Sequence, residues 1–114
     1  MADCIFCKIA AGEIPSSKVY EDERVYAFKD INPQAPVHIL VTPKEHMANV
    51  LECAEREDDL LGHLMKVASR IAKEQGLAEN GFRLVTNCGK HGAQSVNHLH
   101  IHILGGRQLG EQMA

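Results

Sequence analysis

The sequence predicts an α+β fold, a five-stranded antiparallel sheet with one long and one short helix. Three observations carry this. Short apolar segments with strand-like alternation group at residues 18–42 and again at 82–104. Only the stretch over 55–75 repeats its apolar residues at helical spacing over many turns. The strands come in runs instead of alternating singly with helices, which places the helices together on one face of the sheet.

Each element has a local reason. Residues 3–11 are expected as a short helix, capped by Asp3, stopped by Gly12, with Ile5, Phe6 and Ile9 on its apolar side. Pro15-Ser16-Ser17 turns the chain into strands 18–21 and 25–29, which are joined through Asp22-Glu23. Pro33 and Pro36 keep residues 30–36 out of a regular ladder, so this segment is a loop. Strand 37–42 follows and ends at Pro43. In the helix over 55–75, Leu60, Leu61, Leu64, Val67, Ala68 and Ile71 make the buried stripe. Glu55, Glu57, Asp58 and Asp59 crowd its start and Lys73 lies near its end, both favourable to the helix dipole; Gly76 closes it. Strands 82–87 and 97–104 complete the sheet, separated by the glycine-containing segment 89–95.

Composition narrows the function classes. With 114 residues, 45% hydrophobic, the chain supports one domain over 1–114 with a small core. A net charge of -3 argues against general affinity for nucleic acid. No apolar run is long enough to span a membrane. The first residues lack a basic region and an apolar signal segment, so a cytoplasmic protein is expected. Disulfides among its cysteines, at 4, 7, 53 and 88, are then not expected; Cys53 and Cys88 read as packed thiols, and the Cys4–Cys7 pair stays open to redox chemistry or metal binding. A single sheet of this kind leaves an open face or edge, and pairing into a homodimer is the expected cover.

The chemistry concentrates in Asn97-His98-Leu99-His100-Ile101-His102-Ile103-Leu104. On a strand this alternation puts three imidazoles on one face, neighbours about 6.6 Å apart along the backbone. Imidazole titrates near neutrality and is nucleophilic when unprotonated. If a backbone carbonyl holds the Nδ1 proton of His100, its Nε2 is free to attack phosphorus, and His102 can donate to a phosphoryl oxygen. In the preceding loop, Gly89, Gly92 and Ala93 allow backbone N–H groups to approach an anion. Gln94 and Ser95 add side-chain donors, and Asn87 points another amide to the same region. Two other readings of the histidines stay open: a solvated face without a task, and an all-histidine metal site. The loop, which suits an anion, favours neither.

These residues resemble the histidine triad family, whose signature of alternating histidines and hydrophobes is met by residues 98–104. The flanks Gly92-Ala93-Gln94-Ser95-Val96-Asn97 and Gly105-Gly106-Arg107 are similar to its histidine triad nucleotide-binding (Hint) branch. Further likeness runs through Ile14-Pro15, Phe28-Lys29-Asp30-Ile31, Pro33-Gln34-Ala35-Pro36, His38 and Leu60-Leu61-Gly62-His63-Leu64. The resemblance implies a HIT-like fold whose sheet continues across a homodimer. It also implies hydrolysis of purine nucleoside phosphoramidates such as adenosine 5'-monophosphoramidate. His100 is then the residue that becomes nucleotidylated, with His102 on the phosphate. Ser95 contacts phosphate and departing amine, while His98 and His38 support the triad. Asp30 accepts from the ribose hydroxyls, with Phe28 and Ile31 beside it. Ile5 and Phe6 wall the base, Asn87 holds the ribose–phosphate side, and Ala93, Gln94 and Val96 complete the nucleotide-contacting set. Ala93 departs from the glycine common in Hint proteins; its methyl group interferes if φ must be positive there.

The same resemblance implies a structural zinc ion held by Cys4, Cys7, His46 and His98, a plausible tetrahedral set. No organic cofactor is implied. Rival functions are a dinucleoside polyphosphate hydrolase, a nucleotide-binding or adaptor protein with weak activity, and a redox protein built on Cys4 and Cys7.

Overall fold

The computed structural model describes residues 4–112. Five strands form one sheet in the order β1-β2-β3-β5-β4: β1 (Lys18–Glu21), β2 (Val25–Lys29), β3 (Val37–Pro43), β4 (Phe82–Val85) and β5 (Ile101–Gly105). Every neighbouring pair is antiparallel, as expected. Around it lie α1 (Ile5–Ala10), α2 (Val50–Ala54) and α3 (Leu60–Glu74).

Strand alternation sorts side chains to the two faces. One face carries Val25, Ala27, Ile39, Val41, Ile101 and Ile103, all packed with Leu60, Leu64, Val67, Ala68 and Ile71 of α3. Each fully buried Val, Leu or Ile among them contributes about 1.5–3 kcal/mol of burial free energy, so this face anchors the fold. The opposite face carries Tyr26, Phe28 and Leu40, covered by Phe6 and Ile9 of α1. The helices therefore lie on both faces of the sheet, contrary to the expectation that they share one. The cause is the short α1: its apolar pair finds the aromatic side of β2, which α3 cannot reach.

Other boundaries also differ from the sequence expectation. The proposed cap, Asp3, lies outside the described residues; the N-cap of α1 is Cys4, whose Sγ accepts from the Cys7 N–H at 3.4 Å. The helix expected over 55–75 is α3 and starts only at Leu60; the acidic run lies ahead of it, in a break after a separate short helix, α2, that was not expected. Asn49 caps α2 by accepting from the N–H groups of Leu51 and Glu52. Within the break, Asp58 accepts from the N–H of Leu60 and pairs with Arg56, which also reaches Glu45. Such local side-chain partners compete with helical hydrogen bonds. Gly76 does close α3, its N–H donating to the Lys73 carbonyl at 3.0 Å.

The last strand begins at Ile101 instead of residue 97, and β4 ends at Val85 instead of 87. Backbone groups ahead of β5 are engaged elsewhere. The Leu99 N–H donates to the Met47 carbonyl at 2.8 Å, and the Thr86 hydroxyl donates to the His100 carbonyl at 2.8 Å. Among the described residues, no helix is long and apolar enough to cross a membrane.

Candidate active site

The histidines lie on the α1 side of the sheet. Leu99, Ile101 and Ile103 point into the core packed by α3, so the intervening His98, His100 and His102 point away from it. His98 and His100 are buried; His102 is partly exposed. The ring of Phe6 stands edge-on to both His98 and His100, the latter at 5.0 Å between centroids, and His100 and His102 also meet edge to face at 5.0 Å.

Hydrogen bonds fix the proton position of each ring, and His100 differs from the others. His98 donates from Nε2 to the Pro43 carbonyl at 2.8 Å, leaving its Nδ1 as a lone pair. His100 donates from Nδ1 to the His98 carbonyl at 2.7 Å, leaving Nε2 as a lone pair. Among the described residues no group of the chain bonds to that nitrogen. The Gln34 N–H donates to Nδ1 of His38 at 3.0 Å, so the His38 proton sits on Nε2. From there it is donated to Nδ1 of His102 at 2.9 Å, which places the His102 proton on Nε2. Asp30 Oδ2 lies 3.4 Å from the same His38 nitrogen, and its Oδ1 accepts from the Asn32 N–H at 2.7 Å.

Burial keeps these rings neutral. Loss of solvation is the leading cause that lowers the pKa of His38, His98 and His100. His102 is pushed down to about 4, by burial first and then by the neighbouring His100 and His38. A neutral imidazole with Nδ1–H fixed and Nε2 unshared is the nucleophilic form.

The loop ahead of the motif folds on itself. A Cβ at Gly92 would stand 2.6 Å from the Cys88 carbonyl oxygen, so only glycine fits the turn. Ala93 adopts φ +59, the left-handed region in which its methyl group is strained. One expectation is corrected here. The Gln94 side chain is not a free donor: it bonds the carbonyls of Ala48 and Val96, and its Oε1 accepts from the Gly89 N–H. Gln94 knits the loop, and the Ala93 and Gln94 N–H groups are also spent on Lys90 and Gly89. Ser95 is exposed, and among the described residues neither it nor Asn87 is hydrogen-bonded to the histidines. Phe28 and Val96 join Phe6 in one apolar cluster. Ile5 and Ile31 are exposed, Ile31 at 91%, and present open apolar surface.

Beside the triad, Cys4, Cys7, His46 and His98 bring one ligand atom each to within 4.8 Å of all the others. Cys4 Sγ is 3.2 Å from His98 Nδ1, and Cys7 Sγ is 3.4 Å from His46 Nδ1 and 3.5 Å from His98 Nδ1. A tetrahedral zinc with ordinary Zn–S and Zn–N bonds requires sulfur–nitrogen separations of about 3.5 Å. The donor set and spacing therefore fit a metal ion. Sequence spacing alone does not indicate this cluster, because its four residues come from α1, the end of β3 and the approach to β5. Two backbone groups, the Gln34 N–H and the Pro43 carbonyl, were missed entirely in the sequence; main-chain roles leave no residue-type signal.

Comparison with known proteins agrees with this geometry. The HIT domain family model matches residues 11–109. The chain is 46% identical over 112 residues to the purine nucleoside phosphoramidase of Escherichia coli (strain K12), covering 98% of this chain and 94% of that protein. It is 53% identical over 107 residues to a 14 kDa zinc-binding protein of Zea mays, covering 92% and 83%. A histidine triad protein from Clostridium difficile, solved at 0.95 Å, superposes with a TM-score of 0.94 at 53% identity, covering 99% of this chain and 98% of that one.

Proposed function

The chain belongs to the HIT-domain family, closely related to its Hint branch, and from that premise we propose that it is a purine nucleoside phosphoramidate hydrolase working through a covalent nucleotidyl-histidine. That it is a HIT-family hydrolase is the coarser fact; the substrate and the covalent route are the proposal. The observation that carries it is His100, with Nδ1–H held by the His98 carbonyl and Nε2 unshared.

In the first step Nε2 of His100 attacks the α-phosphorus, forming an N–P bond as the bond from phosphorus to the amine breaks. The amine leaves with the electron pair and takes a proton through the Ser95 hydroxyl. That proton is made good by the one released from the attacking water in the second step. Positive charge developing on the His100 ring is stabilised by the His98 carbonyl through the fixed Nδ1–H. His102 directs its Nε2–H at a phosphoryl oxygen, and the Ser95 hydroxyl serves the phosphate and the departing amine. In the second step water attacks phosphorus, the N–P bond breaks, and His100 recovers its lone pair.

Asp30 holds the ribose hydroxyls, with Phe28 and the exposed Ile31 beside it. Ile5 and Phe6 wall the base, Asn87 steadies the ribose–phosphate side, and Ala93 and Val96 line the approach. Cys4, Cys7, His46 and His98 would hold one zinc ion. The ligand spacing supports this, as does the name of the Zea mays relative. When bound, zinc supplies a structural tie between α1 and the approach to β5, with no place in the phosphorus chemistry. A homodimer that continues the sheet belongs to the same reading; β1 and β4 are its edges, and Phe82 on β4 is 39% exposed.

Rapid mixing with adenosine 5'-monophosphoramidate, quenching and peptide mass spectrometry test the route. An adenylyl mass on the peptide holding His100, with ammonia released, is expected. Turnover without an adduct on that residue rejects the covalent step. Faster turnover of a diadenosine polyphosphate than of the amidate rejects the substrate class.

A further inference from the structure

We propose that Arg107 is a positioning residue, acting through the main chain of Gln34 and the ring of His38 to hold the proton of His102 on Nε2. The inference rests on the phosphoramidase reading for its kinetic consequence, though not for its structural one.

Both backbone groups of Gln34 are tied. Its carbonyl accepts from Nη2 of Arg107 at 3.1 Å, and its N–H donates to Nδ1 of His38 at 3.0 Å. The other guanidinium nitrogen, Nη1, donates to the Gln108 carbonyl at 3.1 Å, so the fork is braced on its own segment. Next to it, Gly106 at φ +95 runs so close to the loop that a Cβ there would stand 2.9 Å from Pro36 Cβ. Residues 106–107 thus lie flush against the Gln34–Pro36 segment at two independent points. Inside the loop, the Gln34 side chain donates to the Asn32 carbonyl, and the Asn32 N–H donates to Asp30 Oδ1. Pro33 and Pro36 have no N–H to offer. The Gln34 N–H makes Nδ1 of His38 the acceptor, and Asp30 Oδ2, 3.4 Å from Nε2, favours the proton on the same side.

That assignment passes onward. With Nδ1 of His38 occupied as an acceptor, Nε2–H must donate, and Nδ1 of His102 must accept. His102 then presents N–H outward. If Gln34 swings away, His38 keeps only the Asp30 contact and is free to flip its tautomer, and His102 loses the partner that keeps its outward nitrogen protonated. Arg107 is exposed and far down the chain from the loop, so its replacement leaves the buried core intact.

The test uses the full chain and its Arg107→Ala, Arg107→Lys and Gly106→Ala variants. The ring nitrogens of His38 and His102 are read by 15N NMR, which distinguishes Nδ1–H from Nε2–H. Wild type is expected to show a single Nε2–H form for both. Arg107→Ala and Gly106→Ala should mix tautomers at both rings, and Arg107→Lys should restore most of the single form. With adenosine 5'-monophosphoramidate, kcat of Arg107→Ala should fall about three- to tenfold with KM moving less. Unchanged ring signals in Arg107→Ala overturn the proposal, whatever happens to the rate. If wild type turns over no amidate, the phosphoramidase reading fails, while the ring signals still decide the role of Arg107.

Discussion

His98 and His100 differ by two positions in the chain and are both buried, yet they carry protons on opposite nitrogens. His98 gives its Nε2 proton to Pro43 and turns Nδ1 toward two thiols; His100 gives its Nδ1 proton to His98 and keeps Nε2 unshared. Residue type, spacing and burial are alike in the two cases, so none of them sets the role. The nearest carbonyl oxygen does. A histidine motif of this kind specifies which face the rings share, and the surrounding backbone specifies what each ring does.

Substitutions at the two places should separate them most widely. His100→Ala should reduce kcat for an AMP amidate by at least about a thousandfold, because the attacking atom is gone, while the far-UV spectrum and zinc content stay as in wild type. A residual rate near wild type would move the chemistry off this ring. Cys7→Ser probes the other site. Elemental analysis should show zinc lost and the melting temperature lowered, while kcat falls by no more than about tenfold. A collapse of kcat as deep as that of His100→Ala would merge the two regions into one.

Acid titration sharpens the same contrast by smaller steps. An unfolded histidine titrates at its ordinary value, about 6.5, whereas the folded His102 holds off protonation to about 4. Between these values the unfolded chain binds a proton that the folded chain does not, so unfolding free energy rises with pH across the window. Stability should therefore decline as pH falls from about 6.5 toward 4, followed by urea unfolding. Replacing His102 with glutamine should flatten part of that slope; an unchanged slope would place the titration elsewhere. The smallest effect belongs to the loop. Ala93→Gly should raise stability by about 0.5–1 kcal/mol by relieving the left-handed φ, with kcat close to wild type.

Much of the architecture was legible because it rests on periodicity. Ile39 and Val41 against His38 and Leu40, or Ile101 and Ile103 against His102, announce two faces by type alone. The break between α2 and α3 was not, since an acidic run reads as a favourable helix start. Inside that break Asp58 bonds the Leu60 N–H and pairs with Arg56, a local competition that composition does not rank. Gln94 illustrates the same limit. As a residue type it is a donor, and only the fold shows that Ala48 and Val96 have taken both of its N–H groups. The condition set for His100, a carbonyl holding its Nδ1–H, is met. That the carbonyl belongs to His98 came from the structure.

This last detail makes residue 98 serve two masters. Its imidazole faces the thiols and its peptide oxygen steers the neighbouring nucleophile. Transplanting the triad into another scaffold without the cysteine pair would leave that ring unsupported and let the oxygen drift. A designer wishing to borrow the chemistry must carry α1 along with it.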